Sequence, residues 1–223
     1  MRPAAPGPRT IEGVYAIIGL DGTGKTTVAR LVAEHLTAAG RATDTVWLRE
    51  PRFFTFAVLG ILRLLGMSRI VTLGDHDDIH TDVSRHPILF RLYSWSVTFD
   101  YFLGYWRKIL PRRLLGHAVV CDRFAWDTAI DLALSGGLGE RFFALPEGAM
   151  LLDLSRRHRT VILTARPETI RQRRPILLLD PRLPERERLY SVLAARHALP
   201  LVPGDDGTEG DTAARVVAAL GLT

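Results

Sequence analysis

The feature that most constrains this chain is a glycine-rich loop between a short apolar segment and an amphipathic segment. The loop reads GLDGTGKTT (Gly19 to Thr27) and directly follows the apolar run VYAII (Val14 to Ile18). Apolar residues then recur at three- and four-residue intervals up to Leu36, the spacing of one helix face. This order of strand, tight loop and helix predicts the start of a parallel α/β sheet.

The rest of the chain continues the alternation of β-branched runs and helical patterns. Four more strands are predicted, at Thr43 to Leu48, His117 to Asp122, Thr160 to Thr164 and near Leu201. A last helix is predicted from about Thr212 to Leu220. We expect an α/β fold with a parallel sheet covered by helices on both faces. No repeat or long linker divides the chain, so one domain is expected over 11–223, after a flexible proline-rich tail over 1–10.

The loop fits the pattern G-x-x-x-x-G-K-[ST]. Glycines let several backbone N–H groups converge on phosphate oxygens, and the N-terminus of the next helix adds positive partial charge. Lys25 is one of only two lysines among 29 cationic residues, and a compact ammonium can reach the β- and γ-phosphates. The loop therefore predicts a nucleoside triphosphate site, made by Gly19, Asp21, Gly22, Thr23, Gly24, Lys25, Thr26 and Thr27.

Charged residues end two of the predicted strands. The carboxyl ends of parallel strands line the ligand crevice of a doubly wound sheet, which places Arg49, Asp122 and Arg123 there. Asp122 and the Thr26 hydroxyl are candidate Mg²⁺ ligands, and Arg123 is a candidate phosphate ligand. A surface Asp-Arg pair is the alternative for Asp122 and Arg123.

Seven arginines lie between Arg156 and Arg174. They form either a solvated basic face or, as we prefer, part of a lid over about 156–186. A lid would close on the nucleotide and exclude water, which is an unwanted acceptor in phosphoryl transfer.

The chain resembles the thymidylate kinase branch of the nucleoside monophosphate kinases. The resemblance rests on LDGTGKTT, on LREP (Leu48 to Pro51), on Asp122-Arg123-Phe124 and on RPETIRQRR (Arg166 to Arg174), in the order of that family. It extends from Val14 to about Leu199. It implies a P-loop kinase fold with strand order 2-3-1-4-5, and Mg²⁺-dependent transfer of the γ-phosphoryl group of ATP to a nucleoside monophosphate.

The resemblance also implies roles for individual residues. Asp21 would contact the acceptor sugar, Arg49 and Arg123 the acceptor phosphate, and Phe53 and Arg91 are further acceptor candidates. The expected catalytic set is Lys25, Asp122, Arg123, Arg171, Arg173 and Arg174, the last three on the lid. A homodimer is implied, because dimers of this family pack helices from the middle of the chain.

The acceptor region departs from the family. Arg52-Phe53-Phe54-Thr55 replaces the family's glycines, and Leu89 to Trp106 lacks the Asp-Arg pair that reads the pyrimidine, for which Arg91 and Asp100 are the candidate substitutes. Thymidine specificity is therefore not carried over. A modified nucleotide, a nucleoside, or a sugar or antibiotic-like hydroxyl remains an alternative acceptor. A nucleotide-dependent switch or binding protein is the alternative of another class.

Two segments of the middle region carry separate predictions. Phe53 to Gly66 is too short for a bilayer span and is predicted to be a buried helix. The segment from Gly74 to His86 is predicted to be a loop, either a solvated excursion, an acceptor-recognition loop or a transition-metal site. The aromatic residues at the start of the first segment and after the second, from Tyr93 to Trp106, are mostly expected in the core or in a dimer interface.

Composition bears on location and partners. The single cysteine, Cys121, is expected to be a small buried residue and fits a cytoplasmic protein. The net charge of +5 favours anionic ligands. We expect these to be small phosphorylated molecules, with neither nucleic acid nor a membrane as partner.

Overall fold

In the computed structural model, the described residues are 13–48, 53–73, 76–81, 83–175, 177 and 180–222, and only the backbone is described for 68–73 and 76–81. The strands are β1 (Val14–Gly19), β2 (Thr43–Trp47), β3 (Ser68–Leu73), β4 (His76–Thr81), β5 (Ala118–Asp122), β6 (Arg159–Thr164) and β7 (Leu201–Pro203). The helices are α1 (Lys25–Ala38), α2 (Phe54–Leu64), α3 (Pro87–Lys108), α4 (Leu110–Leu114), α5 (Ala125–Ser135), α6 (Pro146–Arg156), α7 (Pro167–Arg173), α8 (Leu183–His197) and α9 (Glu209–Ala219). A 3-10 turn (Gly139–Ala144) precedes α6.

Five strands form one parallel sheet, in the order β2-β5-β1-β6-β7. Counted along the chain without the hairpin strands β3 and β4, this order is 2-3-1-4-5, and the predicted fold class is confirmed. Alternate residues of β1 enter two separate cores, Ala16 and Ile18 on one face of the sheet and Tyr15 and Ile17 on the other. Burial on both faces explains why this strand is continuously apolar.

The register of the sheet brings the charged strand ends together. Ile17 of β1 lies beside Asp122 of β5, and Asp122 also lies beside Trp47 of β2. Gly19, which opens the glycine-rich loop, lies beside Leu163 of β6. The loop and the end of β5 therefore lie at the same edge of the sheet.

The segment predicted as a loop from Gly74 to His86 contains the second strand of a hairpin, β4, so that prediction was wrong in part. β3 and β4 pair antiparallel from Ser68 beside Thr81 to Leu73 beside His76. The β-branched run in β3 supplies a partner strand for the Asp- and His-rich segment, and pairing satisfies the backbone groups that a loop would leave to water. The side chains of this segment lie outside the described residues, so its metal and acceptor alternatives stay predictions.

The prediction that Phe53 to Gly66 forms a buried helix was also wrong in part. The helix forms as α2, but only one side of it, with Val58 and Leu62, is buried. Phe56 is 62 % exposed and Leu64 is 89 % exposed. The apolar length of a helix does not decide its burial when only one of its sides packs on a neighbour.

An exposed apolar stripe continues along α3. We call the exposed apolar residues of these two helices the α2–α3 face: Phe54, Phe56, Ile61 and Leu64 of α2, with Ile88, Leu92, Trp95, Phe99 and Trp106 of α3. The two helices meet there through an edge-to-face contact of Phe54 with Phe99, with ring centroids 5.1 Å apart. Within the described ranges, no helix is long and apolar enough to cross a membrane.

Asp100 of α3 holds the start of α2. Its fully buried carboxylate accepts hydrogen bonds from the backbone N–H groups of Phe54 at 3.0 Å and Thr55 at 2.8 Å. These are donors that a helix N-terminus leaves without intrahelical partners. The carboxylate therefore caps α2 from a neighbouring helix, which corrects its assignment as a candidate for reading a pyrimidine.

Two helical glycines without positive φ provide a matched test of the packing. A Cβ on Gly148 of α6 would lie 2.2 Å from the carbonyl oxygen of Phe142, whereas one on Gly60 of α2 would meet nothing within 4 Å. We expect Gly148→Ala to lower the free energy of unfolding by about 1–3 kcal/mol, because α6 must move away from the 3-10 turn. Gly60→Ala should raise it by about 0.5–1 kcal/mol through helix propensity. Urea unfolding of both variants measures this, and equal changes would contradict the packing.

Candidate functional site

The glycine-rich loop places an uncapped helix N-terminus at the edge of the sheet. Gly24 precedes α1 in the left-handed region with φ of 92°, and it offers no side-chain cap to the first N–H groups of the helix. These donors are therefore available to a ligand, and their partial positive charge favours an anion. Within the loop, the side chain of Thr23 is buried, and Lys25 is the first helical residue.

The side chain of Lys25 lies across the glycine-rich loop. Its Nζ donates a 2.6 Å hydrogen bond to the carbonyl oxygen of Leu20 and lies 3.5 Å from Oδ1 of Asp21. Burial lowers the pKa of this ammonium, and the neighbouring Arg123 lowers it further. Two cationic side chains are thus held close together at the loop, in surroundings that favour an added negative charge.

Thr26 and Asp122 form the candidate magnesium site. The hydroxyl of Thr26, in the first turn of α1, donates a 2.6 Å hydrogen bond to Oδ2 of Asp122, at the end of β5. A hydroxyl and a carboxylate are the hard oxygen ligands that Mg²⁺ takes, and Mg²⁺ commonly uses one or two protein ligands together with phosphates and water. Among the described residues, no group of three or more His, Cys, Asp and Glu side chains could hold a metal by itself. The pair therefore fits a metal that shares its coordination with a phosphate ligand.

Arg123 has an unusual backbone conformation and a charged partner. Its φ is 70°, in the left-handed region that a residue with a side chain rarely adopts. Its backbone N–H donates to the carbonyl oxygen of Ile17 at 3.0 Å, and its guanidinium donates to Oδ1 of Asp21. Burial lowers the pKa of Arg123, but the carboxylates of Asp21 and Asp127 raise it more, so the guanidinium remains charged. The strained backbone aims a permanent cation at the loop.

One of the predicted lid arginines contacts the loop, and a second lies beside it. Arg173 of α7 donates from Nη1 to the carbonyl oxygen of Gly22 at 3.3 Å. The Cγ of Arg174 would lie 3.4 Å from a Cβ placed on Gly22. Arg171, on the same helix, is exposed. Helix α7 therefore lies over the glycine-rich loop.

The arginine cluster does not form a single lid surface. Arg156 and Arg157 pair with Asp153, at 3.5 Å and 2.7 Å, near the end of α6. Arg159 begins β6 and donates to the carbonyl oxygens of Leu220 and Gly221. The predicted lid over 156–186 therefore begins too early, because its first residues end a helix and form a central strand of the sheet. The part that faces the loop begins after Thr164.

Asp205, which the sequence does not single out, holds the start of α7 in place. Its Oδ2 accepts from the Arg166 backbone N–H at 2.8 Å, from Arg166 Nε at 3.1 Å and from the Thr169 hydroxyl at 2.8 Å. The preceding Gly204 lies so close to the loop that a Cβ there would be 2.4 Å from the carbonyl oxygen of Thr23. The available signal was a Gly-Asp pair directly after a strand that ends at the same edge.

The acceptor candidates are engaged elsewhere or lie outside the described residues. Arg49 is one of the residues that the structure does not describe. Phe53 is exposed, and the guanidinium of Arg107 lies 5.5 Å from its ring centroid. Arg91 donates at 2.9 Å to both carboxylate oxygens of the fully buried Glu147. Removing Arg91 from Glu147 would leave a buried charge unpaired, so this guanidinium stabilises Glu147 and is not free to read a base.

Cys121 is fully buried in β5, next to Asp122. Burial raises the pKa of its thiol, and the carboxylate of Asp122 raises it further. A thiol in these surroundings is a poor nucleophile. The prediction of a small buried residue is confirmed.

The clamp at Asp205 predicts a pH-dependent stability. Burial raises the pKa of Asp205, but its hydrogen bonds with Arg166 and Thr169 lower it more. A carboxylate with a depressed folded pKa stabilises the protein above its unfolded pKa of about 3.9, and this contribution is lost as the pH falls through the folded value. We expect Asp205→Ala to lower the free energy of unfolding by about 1 kcal/mol at pH 7, with the difference vanishing near pH 2. Urea unfolding from pH 2 to 7 measures it, with exposed Asp206→Ala as the control; a difference that is constant with pH would contradict the clamp.

Part of this chain is similar in sequence to a known protein. A thymidylate kinase of Ruegeria pomeroyi is 36 % identical to this chain over 145 residues, which cover 61 % of this chain. The matched part spans 60 % of the length of that relative. No family model matches the chain. The chain is thus similar, over most of its own length, to a protein named as a thymidylate kinase, and its parallel sheet has the strand order of the P-loop kinase fold.

Proposed function

We propose that this protein is a kinase that transfers the γ-phosphoryl group of ATP, with Mg²⁺, to a nucleoside monophosphate. The proposal rests on one observation, which is that two charged segments lie close together at the ends of adjacent strands. Lys25 and Thr26 begin the helix after β1, and Asp122 and Arg123 end β5, with the Thr26 hydroxyl 2.6 Å from the carboxylate of Asp122. A nucleotide-binding loop alone would serve many functions, whereas a second cation beside it suits an acceptor phosphate.

In phosphoryl transfer, the residues of the site have two roles, which are to bind the substrates and to neutralise phosphate charge. The N–H groups of the loop and Lys25 bind the phosphates of ATP, and Thr26 and Asp122 hold Mg²⁺, which neutralises phosphate charge when it is bound. Arg123 binds the acceptor phosphate, and its partner Asp21 accepts a hydrogen bond from a hydroxyl of the acceptor sugar. Phosphoryl transfer requires little covalent work from the protein, so the alignment of donor and acceptor supplies the rate.

The arginines of the lid supply the remaining positive charge of this site. Arg173 already contacts the carbonyl oxygen of Gly22, and Arg174 lies beside it. Cations on a closing segment neutralise charge on the transferred group, and closure excludes water. Arg171 is the remaining candidate on this helix. The similarity to a thymidylate kinase supports the same reaction class.

The structure also bears on which acceptor the protein takes. Arg91 is paired with Glu147, and Asp100 caps α2, so neither candidate substitute for the pyrimidine-reading pair is free. This observation argues against thymidine specificity and leaves a modified nucleotide, a nucleoside, or a sugar or antibiotic-like hydroxyl as the alternative acceptor. A cytoplasmic location stays part of the proposal and rests on the single, buried cysteine.

The two lysines offer a matched test of the kinase proposal. Lys25 lies in the loop, whereas Lys108 of α3 donates to the carbonyl oxygen of Trp47 on the surface. We expect acceptor-dependent ADP release with Mg·ATP from one member of a panel of dTMP, dUMP, UMP, CMP, AMP, GMP, nucleosides and simple sugars. Lys25→Ala should lower that rate on the order of 100-fold, and Lys108→Ala should leave it unchanged. ATP binding without turnover on any acceptor would contradict the proposal and favour a nucleotide-dependent binding protein.

We also propose that the α2–α3 face joins two copies of the chain. Its α3 members, at positions 88, 92, 95, 99 and 106, follow the spacing of one helix stripe along a 22-residue helix. An exposed apolar stripe of this length is typical of an interface, and large residues such as Trp106, 60 % exposed, give interfaces much of their energy. A self-complementary stripe of this kind suits a two-fold homodimer.

The dimer is tested by placing a charge on the stripe. Leu64 is 89 % exposed, so Leu64→Glu costs the single chain little, but it would bury two carboxylates in a symmetric interface. We expect the dissociation constant to rise by at least about 100-fold. Sedimentation equilibrium of this variant and of Met150→Glu, on α6, measures the effect. A wild-type chain that sediments as a monomer at micromolar concentration would overturn the proposal.

A further inference from the structure

Helices α5 and α8 are joined by two polar contacts, one helical turn apart on each helix. Tyr190 of α8 donates to Asp127 of α5 at 2.5 Å, and Arg186 of α8 donates to Asp131 of α5. Residues four apart lie on the same side of a helix, so the two contacts stack as rungs between the helices. We call these four residues the α5–α8 ladder, with Asp127 and Tyr190 as its inner rung and Asp131 and Arg186 as its outer rung.

The inner rung contacts both sides of the candidate site. The Tyr190 hydroxyl lies 3.2 Å from the carbonyl oxygen of Gly19, the first residue of the glycine-rich loop, as a second acceptor. The carboxylate of Asp127 accepts from the Gly19 N–H at 3.5 Å and from the Phe124 N–H at 2.8 Å. Phe124 directly follows the strained residue Arg123. One buried pair of side chains therefore holds the loop and the segment of Arg123 at a fixed separation.

The outer rung reaches the end of the lid segment. Nη2 of Arg186 lies 4.0 Å from Oδ2 of Asp180, in addition to the contact of Nη1 with Asp131. Asp180 lies between α7, which covers the loop, and α8. The position of the lid segment is thus connected through α8 to the first residue of the loop.

The charges of the inner rung depend on the cations of the site. Burial raises the pKa of Asp127, and Arg123 and Lys25 offset only part of that rise. Burial also raises the pKa of Tyr190, so its hydroxyl keeps the proton that it donates. Removal of the tyrosine hydroxyl takes one donor from this buried carboxylate and also removes the contact with the carbonyl oxygen of Gly19, so the inner rung holds the loop less firmly.

We infer that Asp127 and Tyr190 are positioning residues for phosphoryl transfer, and that the outer rung ties the geometry they fix to the lid. The inference rests on the proposed kinase function. A looser inner rung lets the loop and Arg123 drift apart, which lowers transfer to the acceptor. A looser outer rung leaves the lid less closed, which admits water as a competing acceptor.

The first test removes one hydroxyl from the inner rung. Tyr190→Phe is compared with Tyr105→Phe, which removes the hydroxyl that lies 3.0 Å from Nε2 of His158, a contact of α3 outside the ladder. We expect Tyr190→Phe to lower kcat for the acceptor by about tenfold or more, and to lower the ratio of phosphorylated acceptor to ADP. Tyr105→Phe should keep both values close to wild type. Stability loss alone lowers the amount of active enzyme but leaves the product ratio unchanged, so the ratio separates positioning from folding.

The second test uses the outer rung and covers the case in which Tyr190→Phe does not fold. Arg186→Gln is compared with Arg188→Gln, which alters an exposed arginine paired with Glu185 and Glu140 on the surface. We expect Arg186→Gln to raise the share of ATP lost to water by severalfold and Arg188→Gln to leave it unchanged. Ratios equal to wild type in both Tyr190→Phe and Arg186→Gln, or equal losses in a variant and its control, would overturn the inference.

Different results would contradict the proposed kinase function and the inference about the α5–α8 ladder. If the wild type turns over no acceptor, the proposed function fails, and the ladder is then tested by calorimetric binding of Mg·ADP. The inner rung holds Gly19, so Tyr190→Phe should bind Mg·ADP about tenfold more weakly while Tyr105→Phe binds as wild type does. Equal binding by the two variants would overturn the inference without reference to activity.

Discussion

The parallel pairing of β1 with β5 is the constraint on which the candidate site depends. It sets Ile17 beside Asp122, so the loop after β1 and the charged end of β5 begin at the same height in the sheet. The hydroxyl of Thr26, in the first turn of α1, then lies 2.6 Å from the carboxylate of Asp122. A shift of one residue in this register would turn the side chain of Asp122 to the other face of the sheet and separate the two groups.

Charge balance at the edge of the sheet follows from this register. Lys25 and Arg123 are both largely buried, and such cations require nearby anions or a bound ligand. Asp21 pairs with both cations, and Asp127 lies behind them. The carboxylates raise the pKa of both cations against the lowering by burial, while the first N–H groups of α1 remain available. The site therefore combines paired cations with available helix N–H groups, as the proposed binding of phosphate requires.

The middle of the chain shows where sequence patterns mislead. The strongly apolar composition of α2 predicts burial, yet Leu64 is exposed because only one side of the helix packs on α3. Composition reports the hydrophobicity of a side chain and not which neighbour covers it. Asp100 shows the same limit, since its role as a cap depends on α3 passing the start of α2, 45 residues away along the chain.

The order of the strands came from the resemblance to the thymidylate kinase branch, whereas the sequence by itself determined the fold class and the residues of the glycine-rich loop. These depend on local spacing, glycine conformation and the alternation of strands and helices, which are properties of neighbouring residues. Only the tertiary structure decided that Arg91 belongs to Glu147, that Asp205 fastens α7 and that Tyr190 reaches Gly19. These contacts join residues far apart in the chain, and nothing in their local sequence distinguishes the chosen partner from many others of the same chemistry.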